Sequence, residues 1–346
     1  MCENPIEGMG RDGAGYFEYS GLRCCRTDKE NVKLLRFSCV DADLNIPEGI
    51  TEIDPYAFEY SKIRSVKFPD SLRSVGNLAF YKCSNLVQIE FGKGPLKIAN
   101  DAFGSCSALE TLDLKGVTEI GASAFSCCFN LRDVKLHDVL TRVGYNAFIC
   151  CYKLKKISLP ASVKKLDMCC FDNVNEIFIE GDYIPDGFIG CASDRSEVPG
   201  LTVHMGGRTI IFPKNIVSIY RENAEAFLKN FEAGTNNIPA PYGLAWHRED
   251  EQNIALDGYF LQPTNAAKVF LQKSFHEMML RRSREEDCFI LFSKFRDGDL
   301  LTKEMDEKIL AVARENNWMQ LIACVLEDLD KHSKNDSKSK RSAFSL

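Results

Sequence analysis

An Ala-Phe step recurs along the first half of the chain at nearly constant intervals, and this periodicity limits the possible folds more than any other feature. In the last two copies another residue replaces the alanine. The phenylalanines of the step are Phe58, Phe80, Phe103, Phe125, Phe148, Phe171 and Phe188. Successive members are 22, 23, 22, 23, 23 and 17 residues apart. Such a period is typical of a solenoid, in which every repeat forms one coil of a stack.

Two short apolar segments in each repeat predict its strands. One follows the phenylalanine, as in residues 109–114, where Leu112 and Leu114 point inward and the residues between them point outward. The other precedes the next phenylalanine, as in residues 117–121, and its closing glycine predicts a sharp bend. Because one coil cannot bury its own core, stacked phenylalanines are expected to form the structural core: Phe58, Phe80, Phe103, Phe125, Phe148 and Phe171.

The repeat pattern resembles that of the BspA-like leucine-rich-repeat family. The pattern is Ile/Val-Gly-x-x-Ala-Phe-x-x-Cys-x-x-Leu, and one copy contains Ile120, Phe125, Cys128 and Leu131. The resemblance covers residues 41–205, about half the chain, and implies a leucine-rich-repeat β-solenoid of short strands stacked in coils. Similar proteins are mostly from bacteria or protists, and exported members are surface adhesins or bind host proteins. The family supplies no catalytic residues.

Helical spacing replaces this pattern in the C-terminal part, so the predicted fold class is α+β, a solenoid followed by an all-α helical C-terminal domain. Thr302 is a predicted helix N-cap. The segment from Leu300 to Asn316 is loosely similar to ankyrin-like helical tails of other bacterial repeat proteins. The predicted organisation is N-terminal capping strands in residues 1–40, the solenoid in 41–215, the helical domain in 216–330 and a disordered tail in 331–346.

Charge and hydropathy exclude several classes of partner. The net charge of -6 and the pI near 5.6 give no reason to expect a nucleic acid. No stretch approaches the roughly 20 apolar residues that span a bilayer, and the N-terminus does not resemble a signal peptide. A cytoplasmic protein is therefore expected, with exposure on a cell surface left open, and the family resemblance implies a bacterial one.

Fifteen cysteines would indicate disulfides in a secreted chain, but the odd number and the repeat positions favour reduced, buried thiols. Neighbouring coils bring equivalent cysteines within about 5 Å, so disulfides are not excluded by distance. The equivalent positions are Cys83, Cys106, Cys128 and Cys151. In adjacent pairs such as Cys127-Cys128, one side chain is expected to pack inward and the other to lie in a loop.

Motifs of catalytic or cofactor chemistry are weak. Residues 8–13 fit G-x-G-x-x-G, but no strand precedes them and no helix follows. His276-Glu277 begins like a zinc-protease motif, yet Leu280 stands where the second histidine is needed. Residues 246–250 are polar and are expected to form a surface loop. The sequence thus predicts no catalytic residue, metal, cofactor or small-molecule substrate.

The outward strand positions are the predicted binding surface, because a solenoid presents an extended sheet face. Their mixed charge favours a protein partner over a polyanion. The candidate residues are Lys67, Gln88, Glu90, Thr111, Asp113, Asp133, Lys135, His137, Lys156 and Phe178. Phe178 is the aromatic candidate and is expected either to anchor a partner or to pack under an irregular last coil.

The leading hypothesis is a non-enzymatic protein-protein interaction module that binds through its sheet face. One alternative is an exported surface adhesin that binds host or matrix proteins, which requires oxidised cysteines. A second is an enzyme housed in the helical domain, which requires a pocket with converging polar groups. The partner's identity, the oligomeric state and the pathway stay open at the sequence level.

Overall fold

The structure is a computed structural model that describes residues 16–19, 22–26, 31–35, 42–192, 200–214, 216, 221–234, 245, 248–282 and 284–343. The glycine motif of residues 8–13 lies outside the described residues, as do Trp246 and His247. The chain forms two compact units, residues 1–239 and 240–346. Each unit is described by itself below.

The first unit is a β-solenoid of about seven turns over residues 33–205, which confirms the predicted fold class together with the helices that follow. The strands before each phenylalanine form a nine-stranded sheet: β1 (Tyr16–Tyr19), β2 (Leu22–Arg26), β3 (Val32–Leu34), β5 (Glu52–Ile53), β7 (Ser74–Val75), β9 (Leu96–Ile98), β11 (Val117–Ile120), β13 (Arg142–Val143) and β15 (Lys165–Leu166). The pairs β1–β2 and β2–β3 are antiparallel, and the coils stack in parallel from β3 onward.

The strands after each phenylalanine form three short sheets in succession, here called the segmented sheet. Its members are β4 (Asp43–Asn45), β6 (Ser65–Lys67) and β8 (Gln88–Glu90), then β10 (Thr111–Asp113) and β12 (Asp133–Lys135), then β14 (Lys156–Leu159), β16 (Glu176–Ile179), β17 (Gly200–Met205) and β18 (Arg208–Pro213). The predicted alternation is confirmed in β10, where Leu112 is buried between exposed Thr111 and Asp113. The segmented sheet thus buries one face and exposes the other.

The predicted phenylalanine column forms the core. The six rings are buried, and neighbouring centroids are 4.8, 5.1, 5.3, 5.3 and 5.6 Å apart from Phe58 to Phe171. A column of thiols lies beside the rings, and each thiol donates to the carbonyl of the phenylalanine one coil earlier, as Cys128 does to Phe103 at 3.4 Å. Burial raises the pKa of Cys128 to about 12. These inner cysteines are free thiols that resist ionisation.

The repeat glycines allow adjacent coils to pack closely. Gly121 and Gly144 do not have the positive φ that favours glycine. A Cβ atom on Gly121 would instead lie 2.6 Å from the carbonyl carbon of Ala99, and one on Gly144 would lie 2.6 Å from that of Gly121. Adjacent coils approach so closely here that a side chain would separate them.

The helix α1 (Arg221–Glu232) lies in the same compact unit as the solenoid, although the sequence groups it with the helical domain. Its Phe227 ring stacks on Phe212 of β18 at 5.7 Å, and Arg208 donates to the carbonyl oxygens of Phe231 and Glu232. Helical periodicity predicts the helix but does not specify what its apolar face contacts. The structure shows that this face covers the last hairpin.

The described residues of the second unit form five helices: α2 (Arg248–Leu261), α3 (Asn265–Leu280), α4 (Glu285–Asp297), α5 (Lys303–Glu315) and α6 (Met319–Ala343). Thr302 caps α5 as predicted, because its hydroxyl accepts from the Met305 amide at 3.3 Å. The predicted disordered tail of residues 331–346 differs from the structure, in which α6 continues to Ala343. Lys331 contacts Glu327 and Asp328 at 2.9 and 3.0 Å, and such pairs favour a helix that composition alone does not indicate.

Candidate protein-binding surface

Two rows of side chains project from the exposed face of the segmented sheet. Parallel register places Lys67 beside Glu90, Asp113 beside Lys135 and Ser158 beside Phe178, which form one row. The second row contains Gln88, Thr111, Asp133 and Lys156. The structure therefore brings the predicted surface residues of each short sheet together on one side.

Contacts between polar and charged side chains hold part of this face. Lys67 contacts Glu90 at 2.7 Å, and the His137 ring contacts Asp113 at 2.5 Å. All four side chains are at least partly exposed, so solvent screens each pair and each adds about 0–1 kcal/mol to stability. These pairs orient side chains more than they stabilise the fold.

Three charges at the centre of the face lack such a pair within the described part of the chain. Asp133, Lys135 and Lys156 are exposed, and none has an ion-pair partner among the described residues. A partner protein can therefore engage these charges without first breaking an internal pair. They are the side chains on this face most available for a charged contact.

Phe178 lies at the C-terminal end of the face and is half-buried. Its ring stacks on the His204 ring of β17 at 4.4 Å with an interplanar angle of 9°. Hydrogen bonds of 2.9 Å join His204 to Thr209 and to Glu176, which fixes the imidazole against Phe178. The result is an aromatic platform in which the Phe178 ring is partly exposed.

Sequence reasoning missed His204 and Thr209 as members of this surface. Both lie in the hairpin β17–β18, where the phenylalanine period no longer sets the register. The hydrogen-bonded Glu176 carboxylate, His204 imidazole and Thr209 hydroxyl also resemble a hydrolytic triad. A triad, however, needs a nucleophile in a cleft with oxyanion donors. Here the three groups lie on a sheet face and serve to orient the ring.

A second surface, also missed, is an open groove of about 670 Å³ across the nine-stranded sheet. Small residues at one repeat position line it: Gly76, Ala99, Gly121 and Gly144. Charged side chains beside them are paired, Lys97 with Glu119 at 2.7 Å and Arg142 with Asp167 at 2.6 Å. The recurrence of small residues four positions before Phe80, Phe103, Phe125 and Phe148 was the available signal for this groove.

Other candidates for chemistry do not form a site. His276 is exposed on α3, and its neighbour Glu277 is paired with Arg281 and Arg248 on the helix surface. Among the described residues, no three His, Cys, Asp or Glu side chains converge as metal ligands. In the same part of the chain, no helix combines the length and the apolar character that a bilayer span needs.

Comparison with known families identifies the repeat. Residues 42–178 match the BspA type leucine-rich repeat region in six copies, which confirms the resemblance seen in the sequence. Repeats of this type are scaffolds typical of protein-interaction or surface-associated proteins. A comparison with curated proteins found no match.

Similar solved structures are leucine-rich repeat proteins of bacteria. The T. pallidum leucine-rich repeat protein TpLRR is 28% identical over 48% of this chain and 84% of its own, with a TM-score of 0.43. A leucine-rich cell surface protein of Faecalibacterium prausnitzii is 20% identical over 58% of this chain and 62% of its own, with a TM-score of 0.39. The pneumococcal vaccine antigen PcpA is 20% identical over 58% and 54%, with a TM-score of 0.43.

Proposed function

We propose that the BspA-type repeats form a non-catalytic scaffold that binds a protein ligand on the exposed face of the segmented sheet. The observation that carries the proposal is the Phe178 platform, an aromatic ring held by His204 at the end of a face with unpaired central charges. Aromatic anchors beside polar contacts are the usual energetic centres of protein interfaces. The candidate residues from Lys67 to Phe178 would line the contact.

Rigidity supports this assignment. Stacked coils and the hydrogen-bonded His204 order the surface before a ligand arrives, so little conformational entropy is lost on binding. Lys135 and Lys156 would pair with acidic groups of the ligand, and Asp133 would require a basic or polar group opposite it. No cofactor, metal, nucleic acid or small-molecule substrate enters this function.

We place the interaction in the cytoplasm as part of the same proposal. The thirteen cysteines within the described ranges are free thiols, a state that suits a reducing compartment. Counting free thiols in the native protein, purified under alkylation, tests this placement. Extensive oxidation would favour the surface adhesin instead.

The test of the binding face compares two matched triple variants in affinity capture from a cell lysate. One variant alters the segmented sheet, with Phe178→Ala, Lys135→Glu and Lys156→Glu. The control alters the nine-stranded sheet, with Tyr145→Ala and Lys97→Glu in the groove and Lys165→Glu in β15. Circular dichroism and melting curves first establish that the unmodified protein and both variants fold equally.

The expected result is a protein captured by the unmodified chain and by the groove variant but lost from the segmented-sheet variant. Titration of that protein, once purified, should then reproduce the loss as at least a tenfold weaker Kd, as expected when an aromatic anchor and two charges are removed. Retention by the segmented-sheet variant would contradict the proposal. Loss from the groove variant alone would assign binding to the other sheet.

A further inference from the structure

Two cysteines of adjacent coils occupy the same outward turn position. Cys127 and Cys150 each stand two residues after a core phenylalanine, have φ of 55° and 59°, and are partly exposed. The equivalent position holds Ser105 in the preceding coil and Asn173 in the following one. Within this row the thiols therefore meet only between these two coils.

Backbone hydrogen bonds fix the two turns directly against each other. The Phe125 amide donates to the Ala147 carbonyl at 2.9 Å, and the Cys127 amide donates to the Ile149 carbonyl at 2.8 Å. Turns bonded in this way lie about 5 Å apart, as neighbouring strands do, which is within the Cα separation that a disulfide spans. The Cys150 side chain lies close enough to Cys127 to raise the pKa of its thiol.

The adjacent inner cysteines cannot take this role. Cys128 and Cys151 are fully buried, and each donates to a carbonyl of the preceding coil, at 3.4 and 3.2 Å. An oxidant in solution does not reach them. The predicted division of each pair into one inward thiol and one loop thiol is confirmed, and it leaves Cys127 and Cys150 as an accessible pair.

Two aromatic side chains border the pair. The rings of Phe129 and Tyr152 stack at 5.8 Å with an interplanar angle of 6°, and both are exposed. Cys150 raises the pKa of the Tyr152 hydroxyl, which places the tyrosine beside the pair.

We propose that Cys127 and Cys150 are a redox-active dithiol that a low-molecular-weight disulfide, such as oxidised glutathione, converts into a disulfide between adjacent coils. One cysteine loses its proton, and its thiolate attacks a sulfur of the small disulfide and releases one thiolate. The second cysteine, deprotonated in turn, attacks the resulting mixed disulfide and releases the other thiolate. The two cysteines are oxidised, the small disulfide is reduced, and the two protons go to the released thiolates.

Acid-base properties add a pH dependence. Partial burial and the neighbouring Cys150 raise the pKa of Cys127. Since the thiolate is the nucleophile, exchange through Cys127 is slow near neutral pH and faster in alkaline solution. Such a pair responds to sustained oxidation rather than to brief exposure.

The test incubates the full chain in its native state with oxidised glutathione, alkylates the remaining thiols and digests with trypsin. The expected product joins residues 116–132 to residues 143–153, with the mass of two hydrogen atoms lost. Fragmentation between adjacent cysteines must assign the bond to Cys127 and Cys150. Unlinked peptides, or a bond through Cys128 or Cys151, would overturn the proposal.

Single variants give an independent check. Cys127→Ser and Cys150→Ser should each block the link and retain one glutathione on the remaining outer thiol, since no second thiol resolves it. Serine suits this backbone because Ser105 occupies the equivalent position with a φ of 62°. Cys324→Ser, which removes a partly buried thiol of the second unit, should still form the link. Failure of that control to link, or linkage in either outer variant, would contradict the assignment.

Discussion

The solenoid and the helical unit build their cores in opposite ways. In the solenoid, Phe125 stacks between Phe103 and Phe148, its own equivalents one coil away. In the helical unit, residues with no repeat relationship meet, as Phe275 does with Phe295 at 4.4 Å and an angle of 54°. Repetition thus supplies each core residue with a matching neighbour, whereas the helical unit needs separately fitted contacts.

Buried carboxylates show the same contrast. Among the described residues, the buried carboxylates are Asp306 of α5 and Asp328 of α6, both in the helical unit. A charged group repeated in successive coils would place like charges about 5 Å apart inside the stack, which is costly. An irregular core can accommodate one such group.

The largest expected effect comes from breaking the column. Phe125→Ala removes stacking with two neighbours and leaves a cavity that the tight coils cannot close, so the coils around it should lose about 3–5 kcal/mol of stability. Hydrogen-exchange mass spectrometry measures this loss peptide by peptide. Phe171→Ala removes a ring that stacks, among the described residues, on Phe148 alone, so this variant should cost less. Equal losses of stability in the two variants would show that the column is not stabilised by contacts between adjacent rings.

Sequence predicted most of the solenoid because its contacts repeat the sequence order. The phenylalanine spacing predicted the stacked column, and the alternation of apolar and polar residues predicted which side of β10 is exposed. The Phe178–His204 platform was missed in part, because β16 and β17 are joined by a longer connection outside the period. The sequence pattern also did not predict which unit contains α1 or how far α6 extends. Helical spacing identifies an apolar face but does not identify what covers that face.

A smaller effect should come from the buried acid of the helical unit. Burial raises the pKa of Asp306 to about 6. Asp328 acts in the same direction, while His332, 3.2 Å away, opposes it. The folded state keeps a proton that the unfolded chain, in which this carboxyl has its ordinary pKa of 3.8, has released. Stability should therefore fall as pH rises from about 4 to about 6 and stay level above that range.

Asp306→Asn should remove this pH dependence. A displacement of about two pKa units corresponds to about 3 kcal/mol, so the variant should be more stable by up to that amount at pH about 7 and nearly unchanged at pH about 4. Both tryptophans of the chain, Trp246 and Trp318, belong to residues 240–346. Urea unfolding followed by tryptophan fluorescence therefore reports this unit. A variant that retains the pH dependence would place the titrating group elsewhere, with Asp328→Asn as the next variant to measure.

The smallest expected changes in stability have opposite signs in the two units. Gly121→Ala places a Cβ 2.6 Å from the Ala99 backbone, so the coils must separate at a cost of about 1–3 kcal/mol. Gly258 lies within α2, and a Cβ atom added there would have no contact within 4 Å, so Gly258→Ala should stabilise that helix by about 0.5–1 kcal/mol. Hydrogen exchange of each region measures both changes in the same way. Because Gly121 does not have a positive φ, a neutral result there would show that the coils can move apart easily. The contrast between a close-packed stack and an adaptable helical unit would then fail.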